Sequence, residues 1–174
     1  MTRPHLAAAV YEASHLIGPF TLRSGQQASE YFDKYQFTSR PELLEPLADQ
    51  LAILLPPEVE VVAGLQMGGV PLAAAVALTT GLPAVYVRLS RKTYGTCKIT
   101  EGIEVLGRRV AIIEDVVTTG GQVILSAEDL RRDGAIVEHV LAVVDREMGG
   151  AGNLRGAGLE LRAVFTATDL RPVR

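Results

Sequence analysis

Residues 110–122 read VAIIEDVVTTGGQ. An apolar run from Val110 to Ile113 meets two adjacent acids, Glu114 and Asp115; Val116 and Val117 follow, then Thr118, Thr119, Gly120, Gly121 and Gln122. The run lacks polar alternation, so it predicts a strand over 109–115 that is covered on both faces. After the Thr/Gly loop, a helical pattern over 121–132 runs to Gly134. A strand, a glycine loop and a helix form the edge of an open α/β sheet where ligands collect, beyond the strand's carboxyl end. Glycines let successive N–H groups converge, and the helix N-terminus adds partial positive charge, so the loop suits a phosphate. Thr118 and Thr119 add hydroxyl donors. Glu114 and Asp115 have the wrong sign for that phosphate. They suit vicinal hydroxyls instead, bound directly or with Mg²⁺ nearby. A phosphate beside a diol describes a ribose 5-phosphate. Taken as bare composition, the same residues also read as a strand, an acidic turn and a helix cap. Neither a GxxxxGK[ST] nor a GxGxxG motif competes.

Outward from this stretch the chain keeps one rhythm. Residues 59–65, 84–89, 135–145 and 159–168 read as strands, and 41–54 and 68–81 as helices, with Pro41 near the start of the first and Gly81 near the end of the second. Near-continuous apolar strands alternating with helices predict an α/β fold, a central mostly parallel sheet flanked by helices. The first 40 residues break the rhythm. Leu6, Val10, Ala13 and Ile17 fall at helical spacing over 4–16, with Gly18-Pro19 as the stop, and residues 20–37 read as two short strands around a Ser-Gly turn. They predict a small hood, 1–40, within a single domain of 1–174.

Composition excludes several classes. At 174 residues and a net charge of −3, the chain has the size of one domain and no basic footprint for nucleic acid. The single cysteine, Cys97, leaves no intramolecular disulfide and no CxxC metal site, and fits a reducing compartment such as the cytoplasm. The most apolar segment is interrupted by Gly81 and Pro83 and is not expected to span a membrane. The N-terminus continues as an amphipathic helix and is not expected to be a signal peptide.

The order of strand, acidic pair, two aliphatics and T-T-G-G resembles the ribose-phosphate signature of the type I phosphoribosyltransferases, over thirteen consecutive positions. The resemblance implies that fold, and phosphoribosyl pyrophosphate as a substrate with Mg²⁺ on its pyrophosphate. It places Glu114 and Asp115 against the ribose, Val116 and Val117 beside it, and Thr118 to Gln122 around the 5-phosphate. A second glycine turn, GLQMGGVPL from Gly64, contacts the pyrophosphate in that family, which puts Gln66 and Met67 with the same ligand. No protein residue is expected to hold a metal by itself.

Three further stretches resemble the orotate phosphoribosyltransferases. FTLRSGQQASEYFDKY, from Phe20, is similar to their N-terminal hood segment, which implies that Tyr31, Phe32 and Asp33 lie against the base and that Lys34 reaches an anionic ligand. RLSRKTYGTCKITEG, from Arg88, resembles their catalytic loop in Arg91-Lys92 and Tyr94-Gly95 but lacks its second lysine. The resemblance therefore gives Arg91 and Lys92 to phosphoribosyl pyrophosphate and the catalytic lysine's role to Lys92 or Lys98. It also implies a homodimer, since this loop serves the neighbouring subunit. Arg146, in VVDRE, matches a family arginine that binds orotate, and Thr118 joins Phe32, Lys34 and Arg146 on that side. A guanidinium is a good bidentate partner for a carboxylate. His5, His15 and His139 fall in no motif and read as structural or solvated. Two other readings remain: a purine or uracil phosphoribosyltransferase, or a regulator that binds phosphoribosyl pyrophosphate without turnover. The missing helix-turn-helix argues against the regulator.

Overall fold

The first helix, α1 (Arg3–Ser14), carries Pro4 in its first turn, where no N–H partner is needed, and buries Leu6, Val10 and Ala13. In this computed structural model, which describes residues 1–21, 25–91 and 98–170, α1 ends two residues before the predicted position. The chain turns at His15 into β1 (His15–Thr21), which pairs antiparallel with β2 (Gln27–Phe32). The ladder sets His15 against Phe32, and the Asp33 N–H donates to the Ser14 carbonyl at 2.8 Å. Cross-strand bonds replace what would have been the last helical turn. Ile17, expected on the helix's apolar stripe, is instead 82% exposed.

A second departure follows at once. Residues 35–37, read as strand, form the short helix α2 (Tyr35–Thr38). Asp33 explains it: its side chain accepts from the Tyr35 N–H at 3.1 Å and its carbonyl from the Gln36 N–H at 3.2 Å. Such a side-chain turn starts a helix, and it drives Phe37 fully into the core.

The remainder follows the predicted rhythm. It runs α3 (Pro41–Leu54), β3 (Val61–Leu65), α4 (Gly69–Thr80), β4 (Ala84–Val87), β5 (Thr100–Gly102), β6 (Arg109–Val117), α5 (Gly121–Arg132), β7 (Ile136–Asp145), α6 (Gly150–Gly156) and β8 (Glu160–Thr166). The strand carrying the acids is two residues longer than expected, and neither β5 nor α6 was foreseen. Among the described residues the main sheet is ordered β5-β4-β3-β6-β7-β8, parallel except for β5. Both faces are covered. Leu47 and Leu72 pack on Val62, Ile113 and Leu141 on one face, and Leu130 and Leu154 pack on Val61, Ile112 and Val140 on the other. That burial is why the strands read as unbroken apolar runs. No helix among the described residues is long and apolar enough to cross a membrane.

The topology decides where a ligand goes. From β3 the chain crosses through α4 to β4, while from β6, the neighbour of β3, it crosses through α5 to β7 on the other side. The carboxyl ends of β3 and β6 therefore border a crevice from which the two connections diverge, the binding place of open α/β sheets.

Candidate active site

At that crevice the turn after β3 is pressed against the end of β6. Gln66 and Met67 are exposed, with a cis peptide between them, whereas Gly68 and Gly69 are buried. A Cβ at Gly68 would lie 1.6 Å from Asp115 Oδ2, and one at Gly69 2.2 Å from the Ile113 carbonyl oxygen. Glycine is required here for space. The sequence marks these two glycines as an anion turn, but their fit against β6 depends on which strand lies alongside.

The acidic pair closes the crevice. Asp115 is fully buried. Its Oδ1 accepts from Lys34 Nζ at 3.0 Å and from the Val116 N–H at 2.6 Å, while Oδ2 has no hydrogen-bond partner among the described residues. Burial works against the Lys34 ammonium, but the Asp115 charge, its hydrogen bond and the Glu114 charge together raise the Lys34 pKa above its usual value. Glu114 Oε1 accepts the Asp115 N–H at 2.9 Å. Burial, and then the adjoining Asp115 carboxylate, push the Glu114 pKa well above the ordinary carboxylate range.

That shift has a sign for stability. The folded chain keeps the Glu114 proton where the unfolded chain has lost it. Stability from this group therefore falls as pH rises from the ordinary value of 4.5 through the raised one. Glu114→Gln is expected to remove this fall. Melting temperatures of wild type and variant, measured from about pH 4.5 to 8, should diverge by about 2–4 °C for each kcal/mol involved. Parallel profiles would mean that Glu114 is ionised at no unusual cost.

The Thr/Gly loop expected to take a phosphate sits at the start of α5. Thr118, Thr119, Gly121 and Gln122 are exposed, and Gly120 takes a left-handed φ of 78°. The loop is held from behind by α6, through a bond from Asn153 Nδ2 to the Thr119 carbonyl at 3.0 Å. Gly150 is seated so closely that a Cβ would lie 2.4 Å from the Thr118 carbonyl oxygen. Sequence reasoning missed this clamp. Its one visible signal was the Gly149-Gly150 pair shortly after a strand.

The residues expected at the base gather beyond β7. The Arg146 N–H donates to the Val117 carbonyl at 2.9 Å, which fixes Arg146 beside the end of β6. Its guanidinium stands 5.8 Å from the centroid of the Phe32 ring, and both line a cleft of about 400 Å³ together with Tyr31. His15 and Glu30, paired at 3.0 Å, line the same cleft. Of the six residues expected at the base, the structure thus joins Tyr31 and Phe32 with Arg146 in one cleft, while Thr118 follows Val117, the backbone partner of Arg146, and Asp33 is engaged at the start of α2. Lys34 is turned to Asp115.

No protein-family model matches the chain. Among curated proteins, the orotate phosphoribosyltransferase of Nocardioides sp. is 49% identical over 169 residues, 97% of this chain and 94% of that one. The chain belongs to the orotate phosphoribosyltransferase family. Solved structures agree. The Mycobacterium tuberculosis orotate phosphoribosyltransferase in complex with Fe(III) dicitrate superposes with a TM-score of 0.88 at 34% identity, covering 98% of this chain and 99% of that one. The same enzyme in complex with 5-phospho-α-D-ribosyl 1-diphosphate gives 0.82 at 32% identity, covering 97% and 98%. The type I phosphoribosyltransferase fold expected from the acidic signature is the fold this chain has.

The basic loop expected of an orotate phosphoribosyltransferase is only partly within view. Lys92 lies outside the described residues. Arg91 donates to Asp133 at 2.6 Å, at the far end of α5 from the phosphate loop, about 18 Å along a helix of this length. Lys98 donates to Glu104 at 2.5 Å beside β5, three strand positions from β6 and so about 14 Å away. Arg88 pairs with Glu101 at 3.5 Å. The Thr/Gly loop of this chain therefore has neither Arg91 nor Lys98 near it. Gln66 touches the loop's start, where its side-chain oxygen accepts the Leu89 N–H at 3.2 Å.

Proposed function

We propose that this chain transfers the ribose 5-phosphate group of phosphoribosyl pyrophosphate to N1 of orotate, releasing pyrophosphate and orotidine 5′-monophosphate for pyrimidine synthesis. The observation that carries the reading is the meeting, at the β3/β6 crevice, of a glycine loop on a helix N-terminus with a carboxylate pair. The N–H groups of Thr118 to Gln122 take the 5-phosphate, with the hydroxyls of Thr118 and Thr119 turned to it. Asp115 and Glu114 accept the ribose hydroxyls and place C1 toward the base. Val116 and Val117 carry the backbone between these two groups. The N–H groups at Gly68 and Gly69, with Gln66 and Met67 above them, face the pyrophosphate. The base enters over Phe32, and Arg146 holds the orotate carboxylate. Positive charge on the sugar and negative charge on the leaving group grow together as the C1–oxygen bond breaks and the C1–nitrogen bond forms, so the reaction needs positioned charges rather than a protein nucleophile.

Mg²⁺ on the pyrophosphate would neutralise part of the leaving group's charge. Asp115 Oδ2 lacks a hydrogen-bond partner among the described residues but is sealed against Gly68, so such an ion would rest on the pyrophosphate oxygens rather than on this carboxylate. No cluster of three or more His, Cys, Asp or Glu among those residues is placed to cage one. The loop cations Arg91, Lys92 and Lys98 serve the pyrophosphate of a partner subunit's site in a homodimer. In support, Arg91 and Lys98 are bonded to Asp133 and Glu104 of their own chain and not to its Gly68-Gly69 turn. Residues 1–174 act as one domain with 1–40 as its hood, in the cytoplasm, where Cys97 stays reduced.

Turnover decides the reading. The purified chain with phosphoribosyl pyrophosphate and Mg²⁺ should consume orotate, followed by its absorbance, in preference to uracil, adenine or hypoxanthine. Preference for another base would replace orotate as the substrate, and binding without turnover would make the chain a sensor. Within this reading, Arg146→Ala should raise the KM for orotate roughly 10- to 100-fold, the loss of a charge-assisted hydrogen-bond pair. The KM for phosphoribosyl pyrophosphate should stay within about twofold. An unchanged orotate KM would take Arg146 out of the base site.

A further inference from the structure

Asp115 is the group proposed to hold a sugar hydroxyl, yet its carboxylate is fully buried. Oδ1 is already engaged by Lys34 at 3.0 Å and by the Val116 N–H at 2.6 Å. Oδ2 is sealed against Gly68, where a Cβ would lie 1.6 Å away. Val116 and Gly68 are backbone of β6 and of the turn that abuts it, and neither can withdraw without unpacking the sheet. Lys34 is different. It arrives from the turn between β2 and α2, 81 positions earlier in the chain, on a flexible side chain that is 37% exposed. Its ammonium also lies 5.6 Å from the Tyr35 ring centroid, at the solvent side of the site.

We propose that Lys34 is an exchangeable cap on Asp115: it neutralises the acid in the empty site, leaves when a sugar diol binds there, and then offers its ammonium to the carboxylate of the accepting base. The inference rests on the transfer reaction proposed above. Its physical basis is asymmetric cost. A buried carboxylate stripped of its partner is expensive, so the lysine stays until hydroxyl donors replace it. A half-exposed ammonium is readily rehydrated, so its departure costs little once they do. Beside Asp115 the Lys34 pKa is raised, and an ammonium released to water stays protonated at neutral pH by its ordinary basicity. The consequence is that sugar phosphate and carboxylate base bind cooperatively, and each strengthens the other by the same factor.

Calorimetric titration of orotate tests this on the full-length protein, alone, with saturating ribose 5-phosphate, which cannot react, and with saturating inorganic phosphate, which lacks the diol. In the wild type, ribose 5-phosphate should tighten orotate about tenfold, within the usual range of coupling between sites. Phosphate should change it by less than about twofold. Lys34→Gln should bind orotate weakly and equally with or without the sugar, and Lys34→Arg should restore the coupling. Asp115→Asn should bind orotate tightly without any sugar, because the lysine is already released; this arm decides the matter should Lys34→Gln fail to fold. Absence of coupling in the wild type, its survival in Lys34→Gln, or sugar-dependent orotate binding in Asp115→Asn would overturn the proposal. Wild-type turnover of orotate separates the two failures. With turnover intact and no coupling, only the cap is wrong; without turnover, the transfer reading goes as well.

Discussion

Asp115→Asn is expected to lower kcat by roughly a hundredfold or more, the loss seen when one preorganised polar partner of a transition state is removed, while the melting temperature moves by no more than a few degrees. The two halves of this expectation come from different parts of the site. Activity falls because an amide is a poorer acceptor than a carboxylate and carries no charge to set against the cationic sugar centre. Stability survives because the amide oxygen can still take the Val116 N–H, now received at 2.6 Å. Lys34, 37% exposed, can turn to water. Steady-state kinetics with both substrates saturating, beside a thermal melt, gives the answer. A kcat within a few-fold of wild type would remove Asp115 from the ribose site. A collapsed melt would make the residue a structural counter-ion.

Gly68→Ala should be nearly as damaging, for a purely steric reason. Gly68 has φ −68° and ψ −27°, a conformation open to any residue, so its backbone does not demand glycine. Space does. The new methyl would lie 1.6 Å from Oδ2 and 2.4 Å from Cγ of Asp115. Either the carboxylate or the pyrophosphate turn must move by more than an ångström. Overpacking of this kind costs about 1–3 kcal/mol, and a 1 Å misplacement of a positioned group costs activity on the order of a hundredfold. Gly152→Ala is the control, since nothing lies within 4 Å of a Cβ there and the residue is inside α6. It should melt no lower than wild type and keep its activity. Truncating the clashing group in Gly68→Ala/Asp115→Ala should recover the lost stability without recovering turnover, the non-additive signature of two residues in contact. Equal melts and rates for Gly68→Ala and Gly152→Ala would show that the turn does not bear on Asp115.

Much of this site was legible along the chain because its parts are local. Strand, acids, loop and helix start fall within residues 110–122, and each is recognised by spacing or by the chemistry of a few neighbours. The same holds for the capped ends of α3 and α4, which lie where Pro41 and Gly81 predict. The errors have one character. Ile17 fits a helical stripe, but β2 captures its segment from another part of the chain. Residues 35–37 fit a strand, but one Asp33 side chain starts a turn.

By itself, then, the sequence determined the alternation of elements, the position of the acidic pair and of the Thr/Gly loop, and through them the family. Periodicity, glycine and charge act over a few residues, and that range is enough for these features. Tertiary structure alone decided the neighbours. β3 lies beside β6, which makes Gly68 the wall of Asp115; Lys34 reaches the same acid across 81 positions; Asn153 grips Thr119 from α6. Arg91 is carried to Asp133, 42 positions further along the chain. None of these pairings has a local signature. They follow from the order of strands in the sheet, which the burial of both faces and the crossover connections select, and which no window of sequence contains.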